Sequence, residues 1–145
     1  RVLAYSRTVK DVPGVRYGDL ETLLAESDVV SLHTPLTEET RGLMNEKRIG
    51  LMKKNAVLIN TARGPVVDSD ALAGALKEGR IAGACIDVFE NEPPVRKDHP
   101  LFSAPNTIVT PHVAFATKEA LVKRAVIVFD NVVNYLDGTP RNVIG

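Results

Sequence analysis

One cysteine stands in the whole chain, Cys85, so no intrachain disulfide can form and a reducing compartment, the cytoplasm, is the expected location. Cys85 lies inside the apolar run Ile81-Ala82-Gly83-Ala84-Cys85-Ile86, which reads as a packed strand rather than the setting of a nucleophile. Charge of one sign is also missing. The 18 basic and 18 acidic residues cancel, which leaves no basic footprint for a nucleic acid and no cationic face for a membrane. No apolar run is long enough to span a bilayer, no signal-peptide pattern opens the chain, and there are no repeats or low-complexity tracts. The opening residues, Arg1-Val2-Leu3-Ala4-Tyr5, are already apolar and lack an initiator methionine, as in a chain entered midway. At 145 residues there is enough chain for one domain with a real core.

What is there is an alternation. Residues 2–5, 28–32, 56–60, 82–86 and 107–109 are short, continuous apolar runs rich in β-branched side chains, the pattern of parallel strands buried on both faces. Amphipathic segments lie between them. Asp19 can cap a helix with Leu20, Leu23 and Leu24 on one side. Asn45 can cap a second, with Ile49 and Met52 inward, and Asp68 a third, with Leu72, Ala75 and Leu76 inward and Gly79 as its stop. Strand following helix following strand predicts an α/β fold with a doubly wound parallel sheet.

The last helix, spanning 116–137, differs. Thr117 can cap it, and Gly138 with Pro140 ends it. Leu121, Ala125, Val128, Val132 and Leu136 form one stripe, and Val122, Val126, Phe129 and Val133 another beside it. So wide an apolar surface predicts contact with a second domain or subunit, or complete burial. Residues 92–105 hold four prolines and read as one irregular loop, the kind of segment that carries function.

The chemistry gathers after three strands. Asn60-Thr61-Ala62-Arg63-Gly64 follows one, Asp87-Val88-Phe89-Glu90-Asn91-Glu92-Pro93 the next, and Thr110-Pro111-His112 the last. Loops beyond the carboxyl ends of parallel strands line the ligand crevice of such sheets. A guanidinium can grip a carboxylate with two parallel hydrogen bonds, and a histidine oriented by a glutamate exchanges protons near neutral pH. Singly, each residue also has a plain structural use. Arg63 can pair with Asp68, Asp87 can cap a turn, and His112 can be a satisfied loop histidine. Three such residues on successive strand ends make coincidence a poorer account. No metal site is expected.

The segment from Asp28 to His112 resembles the cofactor domain of the D-2-hydroxyacid dehydrogenase family. Four segments carry the likeness: Asp28-Val29-Val30-Ser31-Leu32-His33-Thr34-Pro35-Leu36-Thr37, Leu58-Ile59-Asn60-Thr61-Ala62-Arg63-Gly64 with Val67-Asp68, the run from Ile81 to Phe89 with Glu92-Pro93, and Thr110-Pro111-His112. The resemblance implies a Rossmann-like domain in which Arg63 binds the substrate carboxylate and His112 donates a proton to the keto oxygen. It implies that Glu92 orients His112 and favours its imidazolium, and that Asp87 contacts the nicotinamide carboxamide. His33, Thr34 and Pro35 would line the adenosine side of the cofactor, with Thr61 and Ala62 near the nicotinamide ribose. Formate dehydrogenases of the same superfamily lack the glutamate.

Two departures matter. The family's Gly-x-Gly-x-x-Gly turn is absent from the 145 residues and would precede residue 1, so the domain is expected to lack its first βα unit. With residues 2–5 as strand 2 and 56–60 as strand 4, the missing first strand would leave a slot between them, and this length of chain alone is expected to bind dinucleotide weakly and to be inactive. The second departure is Ser6-Arg7, where NAD enzymes usually place an acid, which leans the cofactor, NAD or NADP, toward NADP. The alternative for Arg7 is stacking on adenine. Val113-Ala114-Phe115-Ala116-Thr117 after the histidine is similar to the glycerate/hydroxypyruvate branch, which implies a small 2-keto or 2-hydroxy acid, hydroxypyruvate or glyoxylate, and a homodimer. A nicotinamide-dependent binding protein of the same fold, such as a transcriptional corepressor, is the alternative. A structural role without cofactor fits poorly with Arg63, Glu92 and His112 standing together.

Overall fold

Four of the chain's polar residues decide where its helices start. In the computed structural model, which describes residues 1–144, Asp19 Oδ1 accepts the amide of Thr22 at 2.8 Å and opens α1 (Leu20–Glu26). Asn45 Oδ1 accepts from Arg48 at 3.1 Å and opens α2 (Glu46–Ile49), and Asp68 Oδ1 accepts from Ala71 at 3.0 Å and opens α3 (Ser69–Lys77). Thr117 Oγ1 accepts from Ala120 at 3.1 Å and opens α4 (Lys118–Leu136). Each cap satisfies an amide that the first helical turn leaves without a partner. At the other ends, Gly79 and Gly138 follow α3 and α4 with φ of +64° and +72°, where a side chain would be strained.

The strands are β1 (Val2–Ala4), β2 (Val15–Tyr17), β3 (Val29–Leu32), β4 (Val57–Asn60), β5 (Gly83–Ile86) and β6 (Thr107–Val109). All pairings are parallel. One sheet has β1 beside β2, and the other has the order β3-β4-β5-β6. This is the parallel α/β fold that the alternating pattern predicts. Two details differ from expectation. Residues 15–17, Val-Arg-Tyr, form a strand that the sequence did not announce, because three residues with an arginine in the middle make no apolar run. The strand at the edge of the larger sheet is therefore β3, not 57–60, and β4 has a parallel partner on each side.

Burial on the larger sheet is one-sided. Cross-strand registry puts Val30, Leu58 and Ala84 in one row and Leu32, Asn60 and Ile86 in the next, and all six are buried. The apolar residues of these rows join Leu20, Leu24, Ile49, Leu72, Ala75 and Leu76 of α1–α3 in a single core cluster, where a fully buried leucine contributes roughly 1.5–3 kcal/mol. The opposite rows, Val29 with Val57 and Gly83, and Ser31 with Ile59, Cys85 and Ile108, range from half-buried to exposed apart from Gly83, because all three of these helices pack on one face. The continuous apolar runs predicted burial on both.

The chain divides into two compact units, Arg1–Pro111 and the residues from His112 onward. The second unit is essentially α4, and none of its helical residues is buried. Leu121, Val122, Val126, Phe129, Val132 and Leu136 are all exposed.

Candidate active site

Because β3 to β6 are parallel, their carboxyl ends lie along one edge of the sheet. The loops leaving that edge carry His33, Thr34 and Pro35 after β3, Thr61, Ala62 and Arg63 after β4, and Asp87 and Glu92 after β5. The two residues Ser6 and Arg7 follow β1 in the smaller sheet, and His112 opens the second unit.

The turn after β4 is built from within. Asn60, only 1% exposed, ends the strand, and its side chain is used at both poles: Oδ1 accepts the Ala62 amide at 3.0 Å and Nδ2 donates to the Arg63 carbonyl at 3.0 Å. Arg63 itself is extended (φ −149°, ψ 139°) and exposed, and its Nη1 donates to the Ala62 carbonyl at 2.6 Å. A pairing with Asp68 is not made, since Asp68 caps α3, and no ion pair of Arg63 occurs among the described residues. Beyond it, a 3-10 turn (Gly64–Val66) is tied to residues 42–44, where Gly42 and Met44 donate to the carbonyls of Pro65 and Val66 at 2.8 and 3.0 Å.

Gly64 sets the distance between the two chemical loops. A methyl group built on its Cα would run into the backbone of Phe89 and Glu90. The arginine turn and the acidic loop thus touch main chain to main chain, and only glycine permits so close an approach. In the acidic loop, Asp87 is 3% exposed, its Oδ1 accepts from Thr110 Oγ1 at 2.5 Å, and its amide donates to the Asn60 carbonyl at 2.9 Å. The Thr110 bond ties the end of β5 to the segment after β6, so Asp87 links two strand ends. Glu92 is half-buried, and its Oε2 accepts the Phe89 amide at 3.1 Å.

On the β3 side, His33 Nε2 lies 2.8 Å from Ser31 Oγ, and the Pro35 carbonyl accepts from Thr40 Oγ1 at 2.6 Å and from Thr34 Oγ1 at 3.4 Å. The end of β1 is looser. Ser6 and Arg7 are both exposed, and Ser6 Oγ donates to the Thr8 carbonyl at 2.5 Å. In the second unit, His112 sits at φ +55°, in the left-handed region that histidine, asparagine and aspartate enter more readily than other residues with a side chain. Its ring meets Phe115 edge-on at 6.4 Å between centroids, and the Arg124 guanidinium lies 5.3 Å from the centre of the Phe115 ring.

Sequence reasoning assigned no role to several supporting residues. Asn60 and Gly64 stood inside the arginine segment as part of a motif, and Thr110 stood beside the histidine. Glu90 stood inside the acidic segment, and His99 lay in no motif. His99 Nε2 lies 2.9 Å from Glu90 Oε2, and its ring packs edge-on against Phe89 at 5.0 Å, which fastens the proline-rich loop to the acidic segment. The Leu101 amide points at Nδ1 from 3.4 Å, so that nitrogen is the acceptor and Nε2 carries the proton toward Glu90. Burial works to raise the Glu90 pKa, but hydrogen bonds from Ser69 and His99 outweigh it and hold the carboxyl below its ordinary value. A shallow depression lined by Ser69, Asp70, Arg96 and His99 adjoins this pair and includes none of the candidate residues. Among the described residues no cluster of His, Cys, Asp or Glu is placed to hold a metal, and no helix is long and apolar enough to cross a membrane.

A family model described as D-isomer specific 2-hydroxyacid dehydrogenase, NAD binding domain, matches residues 1–114. The chain is 53% identical over 127 residues to a glyoxylate reductase of Thermofilum pendens, covering 88% of this chain and 37% of that protein. It is 49% identical over 129 residues to a glycerate dehydrogenase of Methylorubrum extorquens, covering 87% of this chain and 40% of that protein. Among solved structures, an acyclic imino acid reductase (Bsp5) in complex with NADPH and D-Arg matches with a TM-score of 0.86 at 36% identity, over 99% of this chain and 46% of the other. The chain therefore spans less than half the length of these relatives. With parallel strands in the order β3-β4-β5-β6 and the arginine, glutamate and histidine segments in sequence, the chain belongs to the D-isomer specific 2-hydroxyacid dehydrogenase family, as part of its NAD-binding domain.

Proposed function

We propose that this chain is the nicotinamide-binding part of an oxidoreductase that moves a hydride between NAD(P)H and a small 2-keto acid, with hydroxypyruvate or glyoxylate as the favoured substrate. The observation that carries the reading is the contact of Gly64 with the Phe89–Glu90 backbone, which holds the loop of Arg63 against the loop of Glu92. The names of the glyoxylate reductase and the glycerate dehydrogenase support the substrate class. The exposed apolar stripe of α4 supports its contact with a second domain or subunit, and a homodimer is the assembly proposed.

The residues fit a nicotinamide cofactor. Asp87 is a buried carboxylate already oriented by Thr110, suited to receive a carboxamide N–H, and Thr61, Ala62, His33, Thr34 and Pro35 offer hydroxyl and backbone groups on neighbouring strand ends. The bound cofactor supplies the hydride. Arg63 grips the substrate carboxylate and orients the carbonyl, which a guanidinium fork does better than a point charge. His112 delivers a proton to the keto oxygen as C2 becomes a hydroxyl-bearing carbon, and Glu92 orients its ring. Ser6 and Arg7 offer a hydroxyl and a cation and no carboxylate, which favours NADP over NAD.

The test uses the full-length enzyme with both keto acids. His112→Ala is expected to lower kcat by roughly 100-fold or more, the contribution of a positioned acid. Arg63→Lys is expected chiefly to raise KM for the keto acid. Near-normal kinetics in both variants overturns the reading.

A further inference from the structure

We infer that Asn60 is a positioning residue for Arg63, acting through the peptide groups of the turn and touching neither substrate nor cofactor; the inference rests on the reading of Arg63 as the carboxylate anchor. Three peptide groups define how Arg63 leaves the sheet. Asn60 takes two of them, the Ala62 amide and the Arg63 carbonyl, each at 3.0 Å, and the third, the Ala62 carbonyl, is held by the arginine's own Nη1 at 2.6 Å. The side chain doing this is 1% exposed and belongs to the last residue of β4, whose own carbonyl accepts the Asp87 amide at 2.9 Å. The turn is thereby referenced to two rigid strands and not to solvent.

The job needs an amide. One pole must accept a backbone N–H while the other donates to a backbone carbonyl one residue on. Aspartate can only accept when ionised, and it would place a charge in a buried site. Serine has the right chemistry but too short a reach to satisfy both partners. A leucine of similar volume would leave both peptide groups unpaired, at a cost greater than that of the lost bonds themselves. Freed of Asn60, the peptide groups on either side of that unit, Thr61–Ala62 and Arg63–Gly64, can rotate, and the guanidinium of Arg63 swings off line. Displacements of about 1 Å are enough to damage binding of a two-pronged ligand.

The experiment is carried out on the full-length enzyme with Asn60→Ser and Asn60→Asp, alone and combined with Arg63→Lys. Asn60→Ser is expected to raise KM for the keto acid by about tenfold, the size of one lost hydrogen-bond constraint. Affinity for the reduced cofactor, titrated by fluorescence without keto acid, is expected to stay within about twofold, and in the Arg63→Lys background Asn60→Ser should add little to KM. A purely structural role predicts a lower Tm and a smaller active fraction with both affinities unchanged. That result overturns the inference, as does unfolding of both Asn60 variants. If Arg63→Lys alone leaves KM untouched, the anchor reading fails first. If Arg63→Lys raises KM and Asn60→Ser does not, the inference fails and the anchor reading stands.

Discussion

The turn at Arg63 and the turn at Arg7 both follow parallel strands and both present an arginine, yet they are built in opposite ways. Around Arg63, three main-chain groups are held by named partners, the next residue is a glycine pressed on another loop, and the strand beneath has a parallel neighbour on each side. Around Arg7, the side chains are exposed, and the hydrogen bond from Ser6 to the Thr8 carbonyl stays within the turn. The difference teaches where precision is needed. If Arg63 is the carboxylate clamp proposed above, its fork must arrive in register with the atom being reduced, and a loop determined in advance suits that task. If Arg7 meets the 2′-phosphate of NADP as proposed, that contact depends on charge more than on geometry, and its loop need not be fixed in the same way.

The largest expected effect comes from breaking the rigid side. Gly64→Ala pushes a methyl group into the Phe89–Glu90 backbone, which cannot yield as a flexible side chain would. The variant is expected to lose about 1–3 kcal/mol or more of stability and to lower kcat/KM for the keto acid as the two loops separate. Thermal unfolding and steady-state kinetics of the full-length protein measure this, and an alanine variant with wild-type values of both would show that the loops tolerate separation. The soft side should respond differently. Ser6→Asp is expected to change the ratio of NADPH to NADH efficiency on the order of tenfold toward NADH, by repulsion of a 2′-phosphate, with Tm unchanged. Strong selectivity of the unmodified enzyme for NADH would assign Arg7 another task.

The smallest effect tests the outer tether of the rigid side. The Glu90 carboxyl is held below its ordinary value of 4.5 by Ser69 and His99 against the opposing pull of burial. A depressed folded-state pKa contributes stability that is present above the unfolded value and is lost as pH falls through the folded one. Glu90→Gln is therefore expected to lower stability modestly at neutral pH, where the contribution of the carboxylate is present, and to converge with the unmodified protein below about 4.5, so that its acid limb is flatter. Identical acid limbs in the two proteins would show that the His99 contact contributes nothing there.

These contrasts mark what could be read from residues alone. The four N-caps, the stops at Gly79 and Gly138 and five of the strands follow from local rules, because a cap or an apolar run acts within a few residues of itself. The order of arginine, glutamate and histidine was legible for the same reason. β2 was not, since three residues centred on Arg16 become a strand only by pairing with β1. Nor was the one-sided burial of the sheet, which depends on where α1–α3 pack and not on the runs themselves. At the site, the sequence by itself determined which side chains were available. Tertiary structure alone decided that Gly64 seats on Phe89 and Glu90, that Thr110 reaches Asp87 across 23 positions, and that Asn60 turns inward to hold two peptide groups. Local structure is written in neighbouring residues, whereas these contacts exist only once parallel strands bring distant loops to one edge.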